Sequence, residues 1–539
     1  MKTSVKLFAA SIMAASLLGG ATSSWAASAL SQDSLKADNG QIMTDISTFA
    51  GIGDNGSLNE EKLKATFRSP YGLLLLQDGT LLVSDSRNHL LRSVSGNKVT
   101  KAAGLVIGKD EKGFPMGGLL DGTPDRSVFD APAGLAADAK GNVYVADSAN
   151  HAIRKLDSAG NVTTLAGSGL IGSKDAAGSE ASFYSPQDVA VAPNGTVYVA
   201  DTLNHTIRSI SPEGKVTTLT APSKRAVEVT PGQVVWGGDY LDGTIAESKF
   251  NEPSGLVIDA KGNLYISDSG NQRIRYMDFG TGKVTTVAGG GSSESGTPYG
   301  KTDLYVPGDF ADGAALTARF DYPMGIALTD EGGLLIADSM NHSIRYLYND
   351  NVVTLAGDAN QRPGELDGIE RSAQFQKPTD VAVSPDGTIY IADAYNNKIR
   401  QMKLFRLPES LPKDDQVKVV IGSNVVEFDA QPEIANGRTM VPVRIIAEAL
   451  GYKVGFEEAN RSVQLSKGDV TIELYLDKTG IKTMENQKQA VTKETDAAPY
   501  LKQERTYVPV RFFAEEIGLD VQWDQDSRTA ILREKAIVR

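Results

Sequence analysis

Residues 129–167 read FDAPAGLAADAKGNVYVADSANHAIRKLDSAGNVTTLAG. Four short runs, GLAAD, NVYVAD, AIRKLD and VTTLAG, alternate β-branched or small residues with polar ones, the pattern of strands. Pro132 opens the first, where no ladder donor is yet needed. Lys140-Gly141-Asn142, the step from Asp147 to His151, and Ser158–Asn161 supply turns. The stretch predicts a four-stranded antiparallel meander.

The unit recurs six times. Each copy begins with a Phe (Phe67, Phe129, Phe183, Phe250, Phe320, Phe375) and has a Pro three positions on. Eighteen residues after the Phe stands an Asp: Asp85, Asp147, Asp201, Asp268, Asp338, Asp393. An Asn follows three later, from Asn88 to Asn396, and an Arg seven later: Arg92, Arg154, Arg208, Arg275, Arg345, Arg400. Spacing inside the unit is fixed while spacing between units varies. That is a rigid module joined by elastic loops.

One such sheet cannot bury both faces, but six stacked around an axis can, as a β-propeller. The fourth strand of a copy ends like Thr164-Leu165-Ala166-Gly167, and the sixth copy has none after Met402. A strand of that type, residues 45–51, precedes the first copy. It is expected to complete the last blade and close the ring without an open edge.

The chain has 539 residues, 41% hydrophobic, with a formal charge of −13, which disfavours nucleic acid and anionic membrane as partners. It has no Cys, which excludes disulfides, thiolate chemistry and cysteine zinc sites. Residues 1–26 read as a signal peptide: Lys2 and Lys6, a short apolar run, then small residues at Ala26 and Ala29. A polar leader follows over 27–40, and the propeller over 41–404. Its longest loops, 105–128, 221–249 and 290–319, should emerge on the face of the second turn of each blade, where binding function concentrates. Trp236, Tyr240 and Tyr299 are the ligand-binding candidates there. Asp-Gly recurs eight residues before the Phe at Asp121, Asp242, Asp312 and Asp367.

The F-x-x-P-x-G start, the V-Y-V-A-D strand and the D-x-x-N-H-x-I-R run of residues 147–154 resemble the NHL-repeat family. The resemblance implies a six-bladed NHL-type β-propeller, in a family that mostly binds protein or RNA. A minority of related propellers are metal-dependent lyases or hydrolases.

The repeated Asp, Asn and Arg read as structural: Asx side chains stabilise turns, and the Arg is expected to link neighbouring blades. His89, His151, His205 and His342 share one repeat position with Gln272 and Asn397, so that position reads as a hydrogen-bonder and not a metal ligand. The position two after the Pro is Gly in four copies but Asp188 and Asp380 in the third and sixth. These copies face each other in a six-membered ring. Two carboxylates are therefore expected at the channel mouth, a candidate site for Ca2+ or another divalent cation. No nucleophile elbow, H-E-x-x-H or P-loop is present.

Residues 405–415 form a linker. Beyond it, residues 438–451 (RTMVPVRIIAEALG) align with 505–518 (RTYVPVRFFAEEIG) at an offset of 67. Pro442 and Pro509 suit a first helical turn, and Gly451 and Gly518 a left-handed end. Val443, Ile446, Ala447 and Leu450 form an apolar stripe, matched by Val510, Phe513, Ala514 and Ile517. With strands predicted at 417–421, 463–465, 470–476 and 530–532, residues 416–539 read as a duplicated α+β domain.

The R-T-x-V-P-V-R-x-x-A-E-x-x-G motif is similar to the copper amine oxidase N-terminal-like domain, which implies an accessory, stalk or attachment module in exported bacterial proteins. The segment has no His and the chain no Asn-Tyr-Asp or Asn-Tyr-Glu site, so neither copper nor amine oxidation is expected. The mainly β chain is thus expected to be a secreted, cell-wall-associated binding or scaffold protein. Its long-loop face would bind protein, peptide or a cell-envelope ligand, with no cofactor and no transmembrane anchor. The alternative is a propeller lyase or hydrolase with a cation at the channel mouth.

Overall fold

The computed structural model describes residues 30, 34–290, 299–300, 302–485, 491–495 and 497–537. The signal peptide (1–26) and much of the leader lie outside them.

Each repeat forms one antiparallel sheet. In the second, Pro132–Ala137, Val143–Asp147, Ala152–Leu156 and Val162–Ala166 lie in sequence order. The innermost strands, from Pro70–Leu75 to Pro378–Val383, each pack on the next, and the last packs on the first. The result is a closed six-bladed β-propeller. Strand Thr44–Ala50 pairs antiparallel with Lys398–Leu404, Thr44 opposite Leu404. The N-terminal strand therefore completes the sixth blade, as its sequence predicts.

A buried ionic clamp explains the fixed spacing inside each repeat. In the second blade Asp147 ends a strand, and its Oδ1 accepts the Asp130 N–H at 2.8 Å. Its Oδ2 accepts from Asn150 Nδ2 at 2.8 Å and Arg154 Nη1 at 2.7 Å. Arg154 also donates to the carbonyls of Val128 and Leu120, both at 2.8 Å, and lies over the Phe129 ring. All six Arg are fully buried on fully buried Asp partners, at 2.5–2.8 Å. Burial still pushes Asp147 up to about 6 against the pull of Arg154.

The Arg does not link neighbouring blades, contrary to expectation. Its bonds run to its own blade and to the loop that enters it. The recurring Asp-Gly belongs to the same clamp: Asp121, Asp242, Asp312 and Asp367 each accept from the local Arg, as does Asp175. Reaching the Arg lays the incoming loop along the outer edge of the sheet. In blades four to six it becomes a fifth strand (Gly243–Thr244, Gly313–Ala314, Asp367–Ile369).

The inter-blade bond comes instead from the histidine column. Nδ1 of His89, His151, His205 and His342 accepts a backbone N–H from the next blade, at Ala131, Ser185, Glu252 and Lys377, at 3.0–3.1 Å. Gln272 and Asn397 accept the equivalent N–H of Tyr322 and Ser69 through their amide oxygens. An acceptor at that spot is what His, Gln and Asn share.

The C-terminal domain is duplicated α+β, as predicted. Strands Arg438–Pro442 and Arg505–Pro509 pair across its centre, and each runs straight into a short helix, Val443–Ala449 or Val510–Glu516. Pro442 and Pro509 sit just before the helix rather than in its first turn. Val443, Ile446, Ala447, Val510 and Ala514 are buried, with Leu450 and Ile517 packed against them. The Phe513 side chain lies outside the described ones. Gly451 and Gly518 follow each helix with φ of +81° and +86°.

This domain is joined to blade six. Ala536–Ile537 pairs with Asp367–Ile369, adding a sixth strand to the closing sheet. Next to it Arg533 is buried, with Nη1 on Glu370 Oε1 at 2.7 Å and Nη2 on Asp520 at 3.2 Å. Burial raises Glu370 to about 7 against the pull of Arg533.

Two outcomes are expected. Arg154→Ala leaves Asp147 buried and unpaired, which costs about 3–5 kcal/mol; Asp121→Asn, whose carboxylate is 49% exposed, costs under about 1 kcal/mol. Urea midpoints followed by circular dichroism check the contrast. Arg533→Ala should expose residues 405–415 to limited proteolysis well below the unfolding temperature of the propeller.

Candidate functional site

Within the invariant frame three repeat columns vary in chemistry. The residue before each Pro is Ser69, Ala131, Ser185, Glu252, Tyr322 or Lys377, and the residue after it Tyr71, Ala133, Gln187, Ser254, Met324 or Thr379. Two after each clamp Asp stand Arg87, Ala149, Leu203, Gly270, Met340 and Tyr395. The ends of the inner strands and the turns after the clamp Asp bring these columns to one place. There a cavity of about 340 Å³ opens at the channel mouth, lined among others by Tyr71, Arg87, Tyr322, Met340, Lys377 and Tyr395.

The column before the Pro is held in the left-handed region, with φ of 48–55° at all six positions, although none is Gly. Such backbone is costly for an L residue. The His, Gln or Asn of the preceding blade stabilises it by accepting its N–H. Burial lowers His151 and His342, and His205 to about 4, so these rings are neutral acceptors at neutral pH. On the rim, Glu252 accepts the hydroxyls of Tyr322 at 2.5 Å and Tyr305 at 2.9 Å. Burial, and then the Glu252 charge, raise both tyrosines.

Asp188 and Asp380 follow directly on the mouth-lining Gln187 and Thr379. Asp188 Oδ1 accepts its neighbour's N–H from Val189 at 2.8 Å, and Oδ2 reaches across to Leu256 N–H of blade four at 2.7 Å. Asp380 repeats this with Val381 and with Leu73 of blade one, at 2.8 and 2.7 Å. On the other side each carboxylate lies over a Gly of the preceding blade. A Cβ on Gly134 would stand 1.9 Å from Asp188 Oδ1, and one on Gly325 2.1 Å from Asp380 Oδ1. Each Asp therefore engages three blades, and the pair engages all six. The carboxylates also feel each other. Burial raises Asp380 to about 7; burial and then the charge of Asp380 raise Asp188 well above the carboxylate range. Burial, and then the charges of both carboxylates, raise Tyr71.

The loop aromatics divide. Trp236, on the hairpin Arg225–Thr230 and Gln233–Gly237, is 72% exposed. Tyr240 and Tyr299 are not offered to a ligand, which corrects the expectation for them. Tyr240 bonds Asp242 and Thr286 beneath the guanidinium of Arg273. Tyr299 donates to Asn271 and is covered by Arg225, 3.7 Å from its ring centroid. Sequence reading missed Tyr71, Tyr322, Tyr395, Arg87 and Lys377. Their signal is variation at fixed repeat positions. Among the described residues no three His, Cys, Asp or Glu side chains cluster as metal ligands, and no helix is long and apolar enough to cross a membrane.

Residues 129–156, 183–208, 250–275 and 375–402 match the NHL repeat family, and residues 419–532 the copper amine oxidase N-terminal domain. The chain is similar to Protein SUPPRESSOR OF QUENCHING 1, chloroplastic, of Arabidopsis thaliana, 34% identical over 301 residues, covering 53% of this chain and 26% of that protein. It is 29% identical over 321 residues to NHL repeat-containing protein 2 of Homo sapiens, covering 54% and 41%. The chain thus spans less than half the length of these relatives. Among solved structures, an auxiliary nutrient binding protein from Bacteroides ovatus aligns with a TM-score of 0.46 and 17% identity, over 69% of this chain and 82% of that one. A streptogramin B lyase aligns with a TM-score of 0.38 and 13% identity, over 67% and 98%. Four of the six blades of the ring thus match the NHL repeat, and the domain that follows it matches the copper amine oxidase N-terminal domain.

Proposed function

We propose that this is an exported binding protein that takes its ligand at the channel mouth on the loop-bearing face, with the C-terminal domain as an accessory attachment module. One observation carries this reading: the varied repeat columns converge on the mouth while the frame around them is constant. Structure alone requires the frame, and packing accounts for Tyr71 and Tyr322; it does not require Arg87, Met340 and Tyr395, which stand exposed on the same rim. Tyrosine rings beside Arg87 and Lys377, with Glu252 opposite, suit a peptide or a charged cell-envelope glycan. The apolar run and small residues of 1–29 support export.

The test uses immobilised protein and cell-envelope extract. Arg87→Ala/Tyr395→Ala should lose the retained component while melting at the wild-type temperature, because both side chains stand on the rim. Equal retention by wild type and variant would remove the mouth as the binding surface.

Asp188 and Asp380 support a second reading, in which a divalent cation joins the two carboxylates on the axis. A calcium cage takes 6–8 oxygens, and all four carboxylate oxygens here already accept backbone N–H bonds. Protonation is the simpler relief. An acid raised in the folded state is most stabilising when protonated, so stability should fall as pH rises from about 4 to about 7. Asp188→Asn/Asp380→Asn should flatten that part of the decline, measured as the wild-type minus variant melting temperature against pH. A melting temperature raised by Ca2+ in the wild type alone, with metal found by elemental analysis, would instead establish the cation.

A further inference from the structure

The duplication builds two clefts in the C-terminal domain. Each is formed by the hairpin of one half and the helix start and following strand of the other. The first, of about 550 Å³, is lined by Ile434, Arg438, Arg511 and Trp523. The second, of about 270 Å³, is lined by Leu501, Arg505, Arg444 and Phe456. These are the same four positions, exchanged at the offset of 67.

The first cleft already holds a guest from the chain itself. The leader makes a tight turn, with Ala37 N–H on the Gln41 carbonyl and Gly40 N–H on the Ala37 carbonyl. The turn presents Asp38. Its carboxylate accepts from Arg511 Nη2 at 2.8 Å, and its backbone N–H donates to Gln522 Oε1 at 2.9 Å.

The second cleft has no such guest among the described residues. Arg505 is held by Asp429 at 2.7 Å. Arg444, the counterpart of Arg511, is exposed and has no ion-pair partner among the described residues. Beside it Phe456 is 51% and Leu501 58% exposed. The exposed large hydrophobic residues described in this domain are these two and Ile434, and all three line the clefts. Apolar exposure confined to two equivalent sites marks binding surface.

We propose that the Arg444 cleft binds an acidic peptide turn, in the way the Arg511 cleft binds Asp38. Arg444 takes the carboxylate, and Phe456 and Leu501 cover the neighbouring apolar side chain. Two differences set its strength. Gly455 replaces Gln522, which removes the side-chain acceptor for the peptide N–H. Glu504 replaces Gly437 on the rim, which lowers the local positive charge. Binding is therefore weak and salt-sensitive. This site stands apart from the channel mouth, on another domain.

The test adds a fluorescein-labelled peptide of residues 34–43, SLKADNGQIM, to the full chain and reads anisotropy at low salt. Saturable binding is expected at one peptide per chain. Arg444→Ala should weaken it by about fivefold or more, as should Asp38→Asn in the peptide. Arg511→Ala should leave it unchanged, and Arg444→Ala should melt like wild type. Absence of saturable binding overturns the proposal. So does binding lost with Arg511→Ala and kept with Arg444→Ala, which would place the peptide in the first cleft by exchange with the leader.

Discussion

Six guanidinium groups are buried without a water-exposed atom to spare, and the propeller is arranged around keeping them paired. Each Arg needs acceptors on several sides. The clamp Asp supplies one, the backbone of the entering loop supplies others, and in five blades a second Asp on that loop adds another, reaching Nε as well in the fourth and fifth. Replacing such a pair with apolar residues is often tolerated, but removing one member is not. The ionic core therefore acts less as a source of net stability than as a specification: it admits one path for the loop and one register for the strands. Blade cores of Phe, Val, Ile and Leu fill the space between sheets without choosing that path.

The fold was legible because the clamp forces constant spacing, and constant spacing is visible in one sequence. Closure by the N-terminal strand was legible for a related reason: the sixth copy lacks a strand that a spare segment matches. The destination of the Arg was not. An Arg seven residues after an Asp says that the two meet across a hairpin; it does not say which loop carbonyls complete the shell. The histidine column showed only that an acceptor is wanted. That the donor is the strained N–H of the next blade is a tertiary fact, set by how two blades meet.

The channel mouth was legible in part. Asp188 and Asp380 stand out because they break a Gly column, and the structure places them within electrostatic reach of each other. What the sequence hid is why the other four positions are Gly. Two of them lie under the carboxylates, and at the other two a Cβ would meet a carbonyl of the next blade at 2.3 Å. The pattern Gly-Gly-Asp, twice around the ring, gives a six-bladed propeller the inner symmetry of a dimer of three-bladed halves. The loop aromatics misled because length and composition do not say which way a ring turns: Arg225 draws Tyr299 inward, and Arg273 covers Tyr240.

The strand that closes the ring also sets a timetable. Thr44 pairs with Leu404, so the first-made strand of the propeller waits for the last-made. At roughly 5–20 residues per second, that interval is about 20–70 s of synthesis. Throughout it the N-terminal β-segment has no partner, the condition under which edges aggregate. Contacts this distant in the chain also make for slow folding. No closed ring can form until the chain has been made as far as Leu404, however early the first five blades are complete.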